Sequence, residues 1–119
     1  MEYTEEDVRA FAAYWKAVAP EKIACSEERK RRVAAKLPAA AALLRERGAG
    51  RIWLIGSMVA GLFLDDSDVD LVTEGLSWQA RDQAWSDLVH LFERGVDLLR
   101  LEELPEDFRR AVLARGVPL

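Results

Sequence analysis

The segment Ser67-Asp68-Val69-Asp70-Leu71 constrains this chain most, because acidic and aliphatic residues alternate along it. Successive strand side chains point to opposite faces, so Asp68 and Asp70 project together while Val69 and Leu71 enter a core. The pattern predicts a strand over 68–73, closed by Glu74-Gly75, with one apolar face and one acidic face. A lone carboxylate in the apolar run Gly95-Val96-Asp97-Leu98-Leu99 marks another strand, over 95–101. An acid in such a run asks for a metal or a cationic partner, since burying it unpaired is costly. On a neighbouring strand Asp97 would stand about 5 Å from the other two acids, and such a cage of hard oxygens suits Mg²⁺ and a nucleotide phosphate. The alternative partner for Asp97 is one of the many arginines.

The remaining elements follow from periodicity and caps. Thr4 followed by Glu5, Glu6 and Asp7 starts a helix with Val8, Phe11, Trp15 and Val18 at helical spacing, ended by Pro20. Ser26-Glu27-Glu28 predicts a second start, with Val33 and Leu37 on its stripe. Pro38 either kinks that helix or sits in the first turn of a new one, and Gly48 stops the element. Arg51-Ile52-Trp53-Leu54-Ile55 reads as a strand buried on both faces, and Met58 to Leu64 as a short helix. Ser77 caps a helix with the apolar face Trp78, Trp85, Leu88, Val89 and Phe92. Pro105 opens a last helix carrying Phe108, Val112 and Leu113, ended by Gly116. The class is α/β, a small sheet with helices packed on it.

The chain has 119 residues, enough for one core. Its formal net charge of −4 argues against direct nucleic-acid binding, which depends on clustered Lys and Arg. The run Arg29-Lys30-Arg31-Arg32, beside Glu27 and Glu28, reads as a solvated helix face. No apolar run approaches a membrane span, the N-terminus has no signal core, and the one cysteine, Cys25, excludes an internal disulfide. A cytoplasmic protein is expected. His90 reads as a surface residue, Cys25 as inert between helices, and the four tryptophans as core, with Trp15 the one suited to an interface.

Other acid-rich motifs fail. A calcium loop from Asp66 needs glycine where Leu71 stands and glutamate where Ser77 stands. No phosphate-loop or dinucleotide glycine pattern occurs, and one histidine with one cysteine makes no zinc site. Asp65 and Asp66 read as a solvated turn. Gly56-Ser57 offers more than a turn. Glycine lets backbone approach a phosphate, free N–H groups at the start of the following helix would point at it, and Ser57 adds a hydroxyl donor. Gly61, one turn further on, would keep that approach open.

Gly56-Ser57, the spacing to Ser67-Asp68-Val69-Asp70-Leu71, and Asp97 together resemble the signature of the DNA polymerase β-like nucleotidyltransferase superfamily. The match is to its minimal branch, found beside HEPN-domain toxins in prokaryotic toxin–antitoxin pairs. The resemblance spans Leu37 to Leu119, leaving 1–36 as an N-terminal helical extension to a unit of 37–119. It implies a palm-like fold with a mixed sheet of three or more strands flanked by helices. It implies an adenylyltransferase using ATP and two Mg²⁺ ions. Asp68 and Asp70 would bridge both metals and Asp97 would hold the one that activates the acceptor hydroxyl. Gly56, Ser57, Gly61 and Ser67 would form the nucleotide-binding set.

In one respect the chain departs from that family. Members commonly read Gly-Ser-x-Ala-Arg-Gly, and here Ala60 takes the arginine position of Gly56-Ser57-Met58-Val59-Ala60-Gly61. Larger relatives carry a further domain for the acceptor, so the resemblance implies that a second chain, a HEPN toxin, presents a tyrosine here. The alternative is a weak or inactive relative that neutralises its partner by binding. A third is transfer to a small molecule in a pocket made by a homo-oligomer.

Overall fold

The structure is a computed structural model and describes residues 4–119. Helix α1 spans Glu5–Ala34 and begins in a reciprocal cap: Asp7 N donates to Thr4 Oγ1 (3.1 Å) and Thr4 N donates to Asp7 Oδ2 (3.0 Å). The break expected at Pro20 does not occur, and Pro20 lies inside α1. Its missing N–H costs about 3 kcal/mol. Helix-forming neighbours and ion pairs such as Arg31–Glu28 (2.7 Å) and Lys30–Glu27 (3.6 Å) act against that cost. Ser26 is no cap either: it is buried, and its Oγ accepts the backbone N–H of Phe63 at 2.7 Å. The expectations for the side chains of Phe11, Trp15 and Val18 fall outside the described residues.

Helix α2 spans Leu37–Glu46 with Pro38 in its first turn, where a missing N–H costs least. Gly48 follows with φ +113°. Strand β1 (Arg51–Ile55) then runs antiparallel to β2 (Val69–Glu74), and helix α3 (Trp78–Phe92) carries the chain to β3 (Val96–Arg100), parallel to β2. Helix α4 (Glu106–Arg115) starts after Pro105 and ends at Gly116, leading into β4 (Val117–Pro118). This two-residue strand, not foreseen from the sequence, pairs antiparallel with β1 and makes the sheet order β3-β2-β1-β4.

Alternation sorts the strands onto two faces. Ile52, Leu54, Val69, Leu71, Val96 and Leu98 meet Leu44, Leu88 and Phe92 in one core. Trp53, Val72 and Leu101 meet Val112 of α4 on the other face, with Ile55 and Leu99 beside them. Asp70 and Asp97 occur in phase with that second set.

Two tryptophans expected in the core lie outside it. Trp78 is 56% exposed and stacks on the Arg100 guanidinium, 4.8 Å from ring centre. Trp85 is 42% exposed, and its indole N–H donates to Val96 O (2.7 Å) while Arg81 Nε donates to Leu98 O (2.9 Å). The pair cap carbonyls of β3, an edge strand that would otherwise offer them to another chain. Phe108 and Leu113 are also exposed, as are His90 and Cys25, which was expected between helices. Among the described residues no helix is long and apolar enough to cross a membrane.

Candidate active site

Gly56 follows β1 directly and opens a single 3₁₀ turn, Gly56–Met58, with φ +76°. The helix expected over 58–64 does not form. Positive φ at Gly61 (+118°), inside that span, is incompatible with a right-handed helix, and Phe63 is drawn into the core instead. The loop returns through the Asp65–Asp66 turn, where Arg29 pairs with Asp65 (2.7 Å) and Arg94 Nη1 donates to Ser67 O (2.9 Å). Ser67 Oγ accepts from Leu64 N at 2.8 Å, so this residue closes the turn.

The register then brings the acids together. Asp70 pairs with Ile55 on one side and with Asp97 on the other. Adjacent strands stand about 4.8 Å apart. Two glycines make room for the carboxylates. A methyl on Gly56 would lie 2.0 Å from Asp70 Oδ2, and one on Gly95 would lie 2.1 Å from Asp68 Oδ1. Asp68 precedes β2 rather than opening it, and it is exposed. Asp97 is also exposed, against the expectation of burial; it lies on the edge strand β3 beside the open cavity.

Asp70 is half-buried, and its carboxyl is pushed above the usual carboxylate range. Burial is the main cause, followed by the negative charges of Asp97 and Asp68. Among the described residues no lysine or arginine forms an ion pair with any of the three acids, while acids such as Asp65, Asp87 and Glu74 all have one. The site is therefore an uncompensated negative centre.

A cavity of about 570 Å³ opens over it, lined by Gly56, Ser57, Asp70 and Asp97 together with apolar Ile55, Val59, Leu99 and Phe108. Ala60 lies on its wall. Gly61 and Ser67, expected with the phosphate-binding residues, do not line it, and Asp68 sits outside its lining. One wall went unread in the sequence: Phe108, Ala111, Val112 and Arg115 of α4. Their spacing of 108, 112 and 115 is a helical stripe, and that periodicity was the available signal.

The donor set suits a hard divalent cation, since it consists of carboxylate oxygens with no cationic side chain against them. Among the described residues no three acid, imidazole or thiol side chains are arranged to hold a metal as they stand. Mg²⁺ commonly takes one or two carboxylates and completes its shell with water and substrate phosphate. Gly95→Ala tests this arrangement cleanly. Its backbone tolerates the change, so the melting temperature should hold within a few degrees. Asp68 must swing away, and any metal-dependent activity should fall about 10²-fold, as misplacement by 1 Å can cost. Unchanged activity would place Asp68 outside the chemistry.

Residues 39–116 match the nucleotidyltransferase domain family. No curated protein matches the chain significantly in sequence. Among solved structures, the fold is similar to a protein provisionally described as a minimal nucleotidyltransferase, with 26% identity, a TM-score of 0.70, and coverage of 76% of this chain and 95% of that chain. It is also similar to a toxin–antitoxin structure containing AMP-PNP, with 25% identity, a TM-score of 0.58, and coverage of 66% and 67%. A mutant of the MntA-HpeT toxin–antitoxin complex is similar at 26% identity and a TM-score of 0.56, again with 66% and 67% covered. With well over half its length matched and the mixed sheet carrying its acids beside a glycine–serine turn, the chain belongs to the nucleotidyltransferase domain family.

Proposed function

We propose that this chain transfers AMP from ATP to a tyrosine hydroxyl of a HEPN-domain toxin and so acts as its antitoxin. The observation that carries the reading is the Asp70 carboxylate, pressed against Gly56 and flanked by the charges of Asp97 and Asp68, at a cavity large enough for a nucleotide. The similar toxin–antitoxin structures, one of them with AMP-PNP, support the substrate and the partner. A cytoplasmic setting fits the use of ATP.

In this reading Asp68 and Asp70 would hold both Mg²⁺ ions, and Asp97 would hold the one that serves the acceptor hydroxyl. Bound Mg²⁺ supplies charge neutralisation at the entering and leaving oxygens. The chain's own groups do the positioning. Gly56 lets the backbone close on the β- and γ-phosphates, and Ser57 donates its hydroxyl to them. Val59, Leu99 and Phe108 present apolar surface to the base. The acceptor hydroxyl gives its proton to solvent, its oxygen bonds to the α-phosphorus, the bond from that phosphorus to the bridging oxygen breaks, and pyrophosphate leaves. We assign residues 1–36 as an extension to the catalytic unit of 37–119.

Purified protein incubated with labelled ATP, Mg²⁺ and the HEPN protein encoded beside it should label that protein. Asp68→Asn should abolish the label. Absence of label alongside an active control enzyme sinks the catalytic reading. Ala60, which leaves the arginine position of the family pattern without a cation, favours one alternative, a binding module. That alternative expects neutralisation of the toxin without label, unaffected by Asp68→Asn or Asp97→Asn.

A further inference from the structure

We propose that Arg115 supplies the cation that steadies the nucleotide's polyphosphate in this cavity, an inference that rests on the nucleotidyl-transfer reading above. Asp70 and Asp97 already make the cavity acidic, and a polyphosphate adds more negative charge. Among the described residues lining it, Arg115 is the only cationic one. It stands at the C-terminal end of α4 and is exposed. The pairing of Leu54 with Val117 sets it beside Ile55 and Gly56, where the glycine–serine turn begins. Gly116 allows this close return, since a methyl there would stand 2.6 Å from Val112 O and 3.1 Å from Trp53 Cβ.

Arg115 is also uncommitted. Every other arginine of the chain donates to a carboxylate, a side-chain amide or a backbone carbonyl. Its neighbours show the contrast: Arg110 pairs with Asp107 (3.4 Å) and Arg109 donates to Leu104 O (3.4 Å). Arg115 makes no ion pair or side-chain hydrogen bond with any described residue. A planar guanidinium that makes no such contact with a described residue, on a residue lining this cavity, is suited to bidentate contact with phosphate oxygens.

Calorimetric titration decides the matter, using Mg²⁺-ATP, Mg²⁺-tripolyphosphate and adenosine on the wild type, Arg115→Gln, and Arg115→Gln with Ala60→Arg. Arg115→Gln should weaken ATP and tripolyphosphate binding about tenfold or more and leave adenosine unchanged, the scale of one charge-assisted contact. Ala60→Arg, on the same cavity wall, should restore part of the loss. Melting curves of the variants should overlay, as the residue is exposed and unpaired. Wild-type ATP affinity retained in Arg115→Gln overturns the inference and leaves the function standing. Equal losses for adenosine and ATP also overturn it, since they would mark a structural role. A folded wild type that binds no Mg²⁺-ATP overturns both readings.

Discussion

Asp70→Asn should abolish nucleotidyl transfer and yet make the metal-free protein more stable. The Asp70 carboxyl is raised above its ordinary value by burial and by the charges of Asp97 and Asp68. Ionising it therefore costs more in the folded than in the unfolded chain. By linkage, the contribution of this group is most favourable below the unfolded pKa near 3.8 and is lost as pH rises through the raised folded value. Asparagine removes the charge at every pH. At pH 7 in EDTA the variant should melt a few degrees above wild type, a gain on the order of 1 kcal/mol or less because the group keeps solvent contact. In acid the two curves should converge. Millimolar Mg²⁺ should stabilise the wild type and close the gap. Transfer should fall about 10³-fold or more, since several kcal/mol of charge neutralisation is lost. A variant that melts below wild type at pH 7 without metal would refute the repulsion account.

Phe63→Ala should cause the largest loss of stability. Phe63 is fully buried and joins the core between the sheet and its helices. Its backbone N–H is held by Ser26, its carbonyl accepts from Arg29 (3.3 Å), and the Arg94 guanidinium lies 4.5 Å over its ring. This one residue anchors the loop that joins the Gly56 turn to Asp68. Truncating a buried phenylalanine costs about 3–5 kcal/mol. The urea midpoint should fall by roughly 1–3 M at usual slopes. Phe63→Leu, which keeps most of the volume, should cost less than about half as much. Equal and small losses in both variants would show that the loop is held by its polar contacts alone.

The two cases show how far local pattern reaches. The faces of Asp70 and Asp97 were legible because alternation within a strand is strictly local, while the β2–β3 register that sets the two side by side was not. Their electrostatic condition was not legible. The sequence argued that Asp97 should be buried and so need a metal or a cationic partner, but how far an edge strand is covered depends on where distant elements land. The same holds for Trp78 and Trp85, whose helical spacing suits a core. Ala84, Leu88 and Phe92 fill that face of α3 instead.

Helix boundaries divided along similar lines. Thr4, Ser77 and Gly48 acted as expected because a cap acts within one turn. Pro20 did not break α1, since the local penalty is finite and the rest of a 30-residue helix outweighs it.

What the sequence determined by itself was the set of short-range facts: strand faces, caps, the glycine–serine turn, and the face that Asp70 and Asp97 each occupy on its own strand. What only the tertiary structure decided was which distant segments share a surface. Arg115 joins the cavity lining through the pairing of Val117, in two-residue β4, with Leu54, 63 positions apart in the chain. No local spacing encodes such a contact, because loop closure and packing select it from many alternatives with similar local energies.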